Sequence, residues 1–193
     1  MFVLGLTGGI GMGKSTTAAM FRDEGLPVWD ADAAVHRLYA PGGAAVPEVA
    51  ALVPGAVRDG AVDRAALRAA LEADPALFSR LEAVVHPLVA GDRARFLAAA
   101  SSDIVVLDVP LLLERGIDRE CDGVAVVSAS PETQMARVLA RPGMDREAAA
   151  MLIARQMPDG EKRARARWVV PTERLEEALA AVRQIISEIR KGQ

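Results

Sequence analysis

The sequence predicts a three-layer α/β fold with a parallel central sheet, on three observations. Short, continuously apolar runs recur along the 193 residues, separated by stretches with helical spacing. The first of these runs breaks into a glycine-rich loop that leads straight into a helix. The chain is 51% apolar, which is enough to fill a core between layers and too much for a disordered segment.

The elements follow in order. Residues 2–6 read as a buried parallel strand. Residues 14–24 read as a helix closed by Gly25. A short second strand covers 26–29, and a helix over 31–39 stops at Pro41-Gly42-Gly43. Residues 44–100 read as mostly helical, with turns at Pro54-Gly55, Asp59-Gly60 and Asp74-Pro75. Buried strands return at 104–107 and 123–127. Pro131 suits the first turn of a helix over 132–140. Helices over 146–157 and 161–167, a strand over 168–170 and an amphipathic helix over 173–190 close the chain. No repeat or linker interrupts the pattern, so one domain over 1–193 is expected.

Composition narrows the function. A net charge of −3 argues against a nucleic-acid scaffold, so no nucleic-acid partner is expected. No apolar stretch is long enough to span a bilayer, and the apolar start lacks the length and basic flank of a signal peptide. The single cysteine, Cys121, cannot form an internal disulfide, which fits a reducing, cytoplasmic setting. Its plainest reading is a small buried apolar residue. No Cys/His cluster suggests zinc. A monomer is the default, and a homo-oligomer stays open because amphipathic helices pack equally well between chains.

Gly8-Gly9-Ile10-Gly11-Met12-Gly13-Lys14-Ser15 fits the pattern G-x-x-x-x-G-K-S/T. Glycines let successive N–H groups converge on phosphate oxygens, and the helix that follows points its positive end at the same anion. Lys14 sets a charge on the β and γ phosphates, and Ser15 offers a hydroxyl to Mg²⁺. The strand before the loop and the helix after it are the context such a loop requires. A glycine-rich connector without function would carry an entropic cost with nothing to offset it.

Three kinds of protein use this loop: a small-molecule kinase, a guanine-nucleotide switch and a motor ATPase. The switch usually needs N-K-x-D, and this chain has no asparagine. The motor is disfavoured by a short, acidic chain without partner modules. A kinase fits the size, a helical substrate region around 33–100 and an arginine-rich, lid-like segment around 137–165.

Beyond the loop the chain resembles the dephospho-coenzyme A kinases. The resemblance is carried by Leu6-Thr7-Gly8-Gly9-Ile10-Gly11 with Gly13-Lys14-Ser15-Thr16, by Asp30-Ala31-Asp32 after the second strand, and by His86-Pro87 after the leucine-rich stretch 81–85. It continues in Asp108-Val109-Pro110-Leu111-Leu112-Leu113-Glu114, in Ser130-Pro131-Glu132-Thr133-Gln134 with Arg137 and Arg141, and in Gln156-Met157-Pro158 with Glu161-Lys162-Arg163. It runs from Leu4 to about Val170. It implies a P-loop kinase that transfers the γ-phosphate of ATP, with Mg²⁺, to the ribose 3′-hydroxyl of dephospho-coenzyme A. It also implies ATP contacts at Gly9, Gly11, Met12, Gly13, Lys14, Ser15, Thr16 and Arg141, and substrate contacts at Asp32, His86, Pro110 and Leu111. The chain departs from the family pattern at Met12, where serine is usual, and at Glu72, where phenylalanine is. Arg167, Pro171 and Thr172 depart in a stretch expected to flank the adenine.

Each candidate has a plainer reading beside it. Asp32, just past a strand end, suits a general base that takes the acceptor proton, or else it caps the helix that follows. Asp30 divides evenly between the same two roles. Arg137 suits a clamp on the transferring phosphoryl, with Arg141 one turn on, or else both lie on a solvated face. Asp108 ends a strand, where it can hold Mg²⁺ through water or simply begin a turn. His86 shapes a substrate pocket or is a hydrogen-bonded structural residue. Trp29 and Trp168 read as core.

Overall fold

The computed structural model describes residues 1–192. The chain forms two compact units, one of Met1–Trp29 with Ala100–Gln193 and one of Asp30–Ala99.

The first unit is built on a five-stranded sheet. Its strands are β1 (Phe2–Thr7), β2 (Val28–Asp30), whose last residue opens the second unit, and, after the helical stretch, Ile104–Asp108, Gly123–Ser128 and Trp168–Pro171. The second unit contributes a hairpin of β3 (Val57–Arg58) and β4 (Ala61–Val62), so the later sheet strands are β5, β6 and β7 in chain order. The sheet order is β2-β5-β1-β6-β7. β1 pairs in parallel with both β5 and β6, and β6 with β7. Central strands with helical crossovers are buried on both faces, which is why β5 reads Ile-Val-Val-Leu without alternation.

Helix α1 (Lys14–Asp23) and the C-terminal helix Leu175–Lys191 cover one face of the sheet. Ala18 and Phe21 of α1 meet Val182, Ile185, Ile186 and Ile189 over Leu4, Leu6, Val106 and Val127. The C-terminal helix carries these apolar residues three and four apart, one stripe facing the core. The arrangement is the three-layer α/β fold with a parallel sheet that the sequence predicts.

The second unit holds α2 (Ala31–Tyr39), α3 (Val46–Leu52), α4 (Arg64–Ala73) and α5 (Ala76–Ala99) around Val49, Ala56, Val62 and Leu67. It differs from the expected, mostly helical stretch in two places: the strands β3 and β4 on either side of the expected Asp59-Gly60 turn, and the course of the chain at His86-Pro87. Asp59-Gly60 turns the β3–β4 hairpin, with Asp59 at φ 52° and Gly60 at φ 76°. His86-Pro87 does not follow a helix but lies inside α5, which continues through Pro87. Pro87 cannot donate to the Ala83 carbonyl, and the helix is held past it by packing against α2, α3 and α4.

The remaining helices belong to the first unit: α6 (Pro131–Leu139), α7 (Arg146–Ala154), α8 (Asp159–Arg165) and α9 (Leu175–Lys191). Pro131 occupies the first turn of α6, and Ser130 caps it by accepting from the Thr133 N–H.

Candidate active site

β1 ends at Thr7, and the chain crosses Gly8–Gly13 before α1 begins at Lys14. Two glycines are demanded by the backbone. Gly13, the N-cap of α1, has φ 90°, and a Cβ there would meet Thr172 Cβ at 3.0 Å. Gly11 has φ 76°, and a Cβ there would lie 2.8 Å from the Gln134 carbonyl oxygen. The loop therefore lies directly against α6 and the end of β7.

Side chains from distant parts of the sequence clamp the loop. Gln156 Oε1 accepts from the Ile10 N–H at 2.7 Å, and Gln134 Nε2 donates to the Ile10 carbonyl at 2.9 Å. Arg137 donates to the Thr172 carbonyl at 2.5 Å, to Thr172 Oγ1 at 3.2 Å and to the Gly11 carbonyl at 3.4 Å. Thr172 Oγ1 donates to the Met12 carbonyl at 2.7 Å. The Met12 N–H closes a turn onto the Gly9 carbonyl at 3.1 Å, and its thioether is buried, accepting from the Ala129 N–H at 3.2 Å. The start of α6 is itself pinned: Glu173 accepts from the Ser130 N–H and the Thr133 hydroxyl, and these bonds hold its carboxyl below the usual range.

Lys14 Nζ donates to Asp108 Oδ1 at 2.5 Å. Asp108 ends β5 and is 2% exposed. A buried carboxylate this close to an ammonium needs that partner, and it fixes the direction of the lysine stem. A second ion pair lies further along. Lys162 of α8 is 0% exposed and donates to Glu114 Oε1 at 2.5 Å, and Glu114 also accepts from the Met157 N–H at 3.2 Å. Burial works to raise the Glu114 carboxyl, but the bonds from Lys162 and Met157 prevail and hold it below its ordinary value.

Beside the helix end of the loop lies a recess of about 170 Å³. Gly13, Thr16, Thr17, Arg137, Thr172, Leu175 and Ala178 line it. It offers an apolar floor from α9 and polar groups from α1 and Thr172, the mixture that suits a flat heterocycle.

The expected residues fall into two groups. Gly9, Gly11, Met12, Gly13 and Lys14 form or open the loop, and the exposed Ser15 and Thr16 sit in the first turn of α1. Arg137 and Asp108 flank the loop. Pro110 and Leu111 follow β5, where the Pro110 carbonyl accepts from Thr7 Oγ1 at 3.0 Å. Asp32 and His86 belong to the helical unit. There Asp30 takes the cap of α2, accepting from the Ala33 N–H at 3.0 Å. Asp32 lies in the first helical turn, and its carboxylate makes no hydrogen bond or ion pair among the described residues. His86 is half exposed, 3.5 Å from Glu82 one turn earlier.

Two expectations need correction. Arg141 is not the helical neighbour of Arg137: α6 ends at Leu139 with Ala140 as its cap, and Arg141 is exposed in the turn beyond. Arg167 does not accompany Thr172 at the recess. It precedes β7 and stacks over Trp168 at 4.4 Å and Phe2 at 6.0 Å, residues that open their strands. The strand length separates it from Thr172.

Sequence reasoning assigned no role to Gln134, Gln156, Glu114 or Lys162, although all four stand in the motifs that carried the resemblance. Their signal was present only as residue type. A glutamine at the core-facing position of an amphipathic helix, and a lysine in a chain with three, both invite a question that only the contacts answer. No group of three His, Cys, Asp or Glu residues poised for a metal occurs among the described residues. No helix among them is long and apolar enough to cross a membrane.

The geometry has counterparts among known proteins. A model of the family described as "Dephospho-CoA kinase" matches residues 2–176. A "Dephospho-CoA kinase" of Cereibacter sphaeroides is 61% identical over 190 residues, covering 98% of this chain and 96% of that protein. The crystal structure of TT1252 from Thermus thermophilus is 38% identical, with TM-score 0.85 over 97% of each chain. A solved "Dephospho-CoA kinase from Campylobacter jejuni" is 21% identical and shares the fold, with TM-score 0.74 over 98% of each chain.

Proposed function

Because this chain belongs to the dephospho-CoA kinase family, we propose that it transfers the γ-phosphate of ATP to the ribose 3′-hydroxyl of dephospho-coenzyme A. The products are coenzyme A and ADP, and the step is the last of coenzyme A synthesis. The observation that carries the reading is the clamped glycine loop, whose lysine is aimed by a buried carboxylate.

Phosphoryl transfer asks a protein mainly for position and charge. The amides of Gly9, Gly11, Met12 and Gly13, with those opening α1, receive the phosphates. Lys14 spreads charge over the β and γ groups. The adenine enters the recess beside Thr16, Thr17, Thr172 and Leu175. Arg137, expected as a clamp on the moving phosphoryl, lines this recess with its guanidinium on Thr172 and the Gly11 carbonyl, so its charge serves the base end of the nucleotide and braces the loop that carries the phosphates. Asp32 accepts the proton of the acceptor hydroxyl, and its lack of a protein partner supports that role over capping. His86, Pro110 and Leu111 form part of the acceptor side.

Mg²⁺ fits the donor set: Ser15 and Asp108 offer the hard oxygens it prefers, alongside nucleotide phosphates. When bound it supplies charge to neutralise the phosphates. The segment around 137–165 acts as the lid. It is anchored at Arg137, Gln156 and Lys162, so closure falls to α7 and its flanks, bringing Arg146 and Arg155 toward phosphate and excluding water. The single cysteine and the net charge of −3 support a cytoplasmic setting with small-molecule partners and neither nucleic acid nor membrane.

The test is a panel of acceptors with Mg-ATP: dephospho-coenzyme A, AMP, CMP, a nucleoside and water. ADP formed with dephospho-coenzyme A alone, and one phosphate gained by it, is the expected result. Transfer to a different acceptor would overturn the substrate while keeping the kinase.

A further inference from the structure

Gln156 binds the Ile10 N–H through Oε1, which decides the orientation of its carboxamide. Its Nε2 then carries two N–H donors beside the same stretch of loop. Neither has a partner among the described residues. On the other side Gln134 spends one of its two Nε2 hydrogens on the Ile10 carbonyl. Both glutamines brace one residue, but only Gln156 keeps both amide donors unspent at a loop whose remaining donors serve an anion.

Which part of the anion this is follows from the recess. Its walls include Gly13, Thr16 and Thr17, which mark the helix end of the loop as the base end of the nucleotide. Gly9 and Ile10 lie at the opposite, strand end. A Cβ on Gly9 would sit 3.4 Å from Gln156 Oε1, so the carboxamide lies close over that end. A triphosphate running from the recess along the loop brings its terminal phosphate there.

The backbone that carries Gln156 is also set in place. It follows α7, and its neighbour Met157 donates to Glu114, whose carboxylate is gripped by the fully buried Lys162. A group held this way costs little to orient when the ligand arrives.

From these contacts we infer that Gln156 is a phosphate-binding residue: Oε1 holds the Ile10 amide, and Nε2 donates to the terminal phosphate of ATP. This distinguishes ATP from ADP at the strand end of the loop. The inference rests on the proposed nucleotide site but not on the identity of the acceptor.

The experiment compares binding of ATP and ADP by calorimetry, without any acceptor, in the wild type, Gln156→Leu and Gln156→Glu. A lost donor to a charged oxygen weakens ATP binding about tenfold, with ADP binding changed less than about twofold. Gln156→Glu keeps the acceptor for Ile10, so its melting temperature should stay near the wild-type value, while the lost donor and the added negative charge weaken ATP binding by more than in the leucine variant. If Gln156→Leu weakens ATP and ADP equally, or neither, the residue is a strut and the inference falls. Should the leucine variant not fold, the same ATP-to-ADP comparison on Gln156→Met, which fills similar space without a donor or a charge, decides. Wild-type protein that binds ATP yet leaves dephospho-coenzyme A unphosphorylated would defeat the proposed function and leave this inference standing.

Discussion

Around the glycine loop the polar side chains already hold one another, whereas in the helical unit the foremost candidate is left alone. Lys14 has Asp108, Ile10 has Gln134 and Gln156, and Arg137 has Thr172 and Gly11. Asp32 has no partner among the described residues, and the neighbouring Asp30 takes the cap in its place. The contrast fits the roles proposed for the two sides. Phosphates are fixed in charge and shape, so a cradle organised before they arrive stabilises them without reorganisation. A group that must take a proton has to keep its lone pairs available until the acceptor comes.

The largest test of that contrast is Lys14→Ala. It should lower kcat/KM on the order of a thousandfold in a coupled ADP assay. It also removes the ammonium beside the buried Asp108, so the double variant with Asp108→Asn should regain stability and not activity. A single variant with near-normal turnover would break the claim that this cradle is organised for charge.

Glu114→Leu comes next, and its effect is on stability. It leaves the fully buried Lys162 without a counter-charge and should cost about 3 kcal/mol in urea unfolding at neutral pH. The folded Glu114 carboxyl lies below its ordinary value, so its contribution is present above the ordinary glutamate range, about pH 4.3, and fades as pH falls through the lowered value. The gap between wild type and variant should therefore hold from pH 7 to 5 and close in more acid solution.

Asp32→Asn should reduce kcat about a hundredfold while ATP affinity and melting temperature stay put. The smallest effect belongs to its neighbour. Asp30→Ala removes a cap and should cost about 1 kcal/mol of stability with little change in kcat. If the two aspartates exchange these outcomes, the division between cap and base is reversed.

Much of this was legible along the chain. The strand-loop-helix start, the proline in the first turn of α6 and the five apolar runs each depend on neighbours in sequence. Other features were hidden. Arg141 looked like one face with Arg137 because periodicity alone does not say where a helix ends. Local preference disfavours proline inside a helix, yet α5 runs through Pro87 because packing overrides it. Thr172 looked like a departure at the adenine, yet it also braces the Met12 carbonyl from 160 residues away.

The sequence by itself determined the sheet, the phosphate loop and the class of reaction, since periodicity, glycine spacing and a lysine at a helix start act locally. Only the tertiary structure decided which side chains hold that loop and which make no polar contact among the described residues. Gln134, Gln156, Arg137 and Asp108 reach it from segments that meet only when the parallel sheet brings their strand ends together, and local preference carries no information about such meetings.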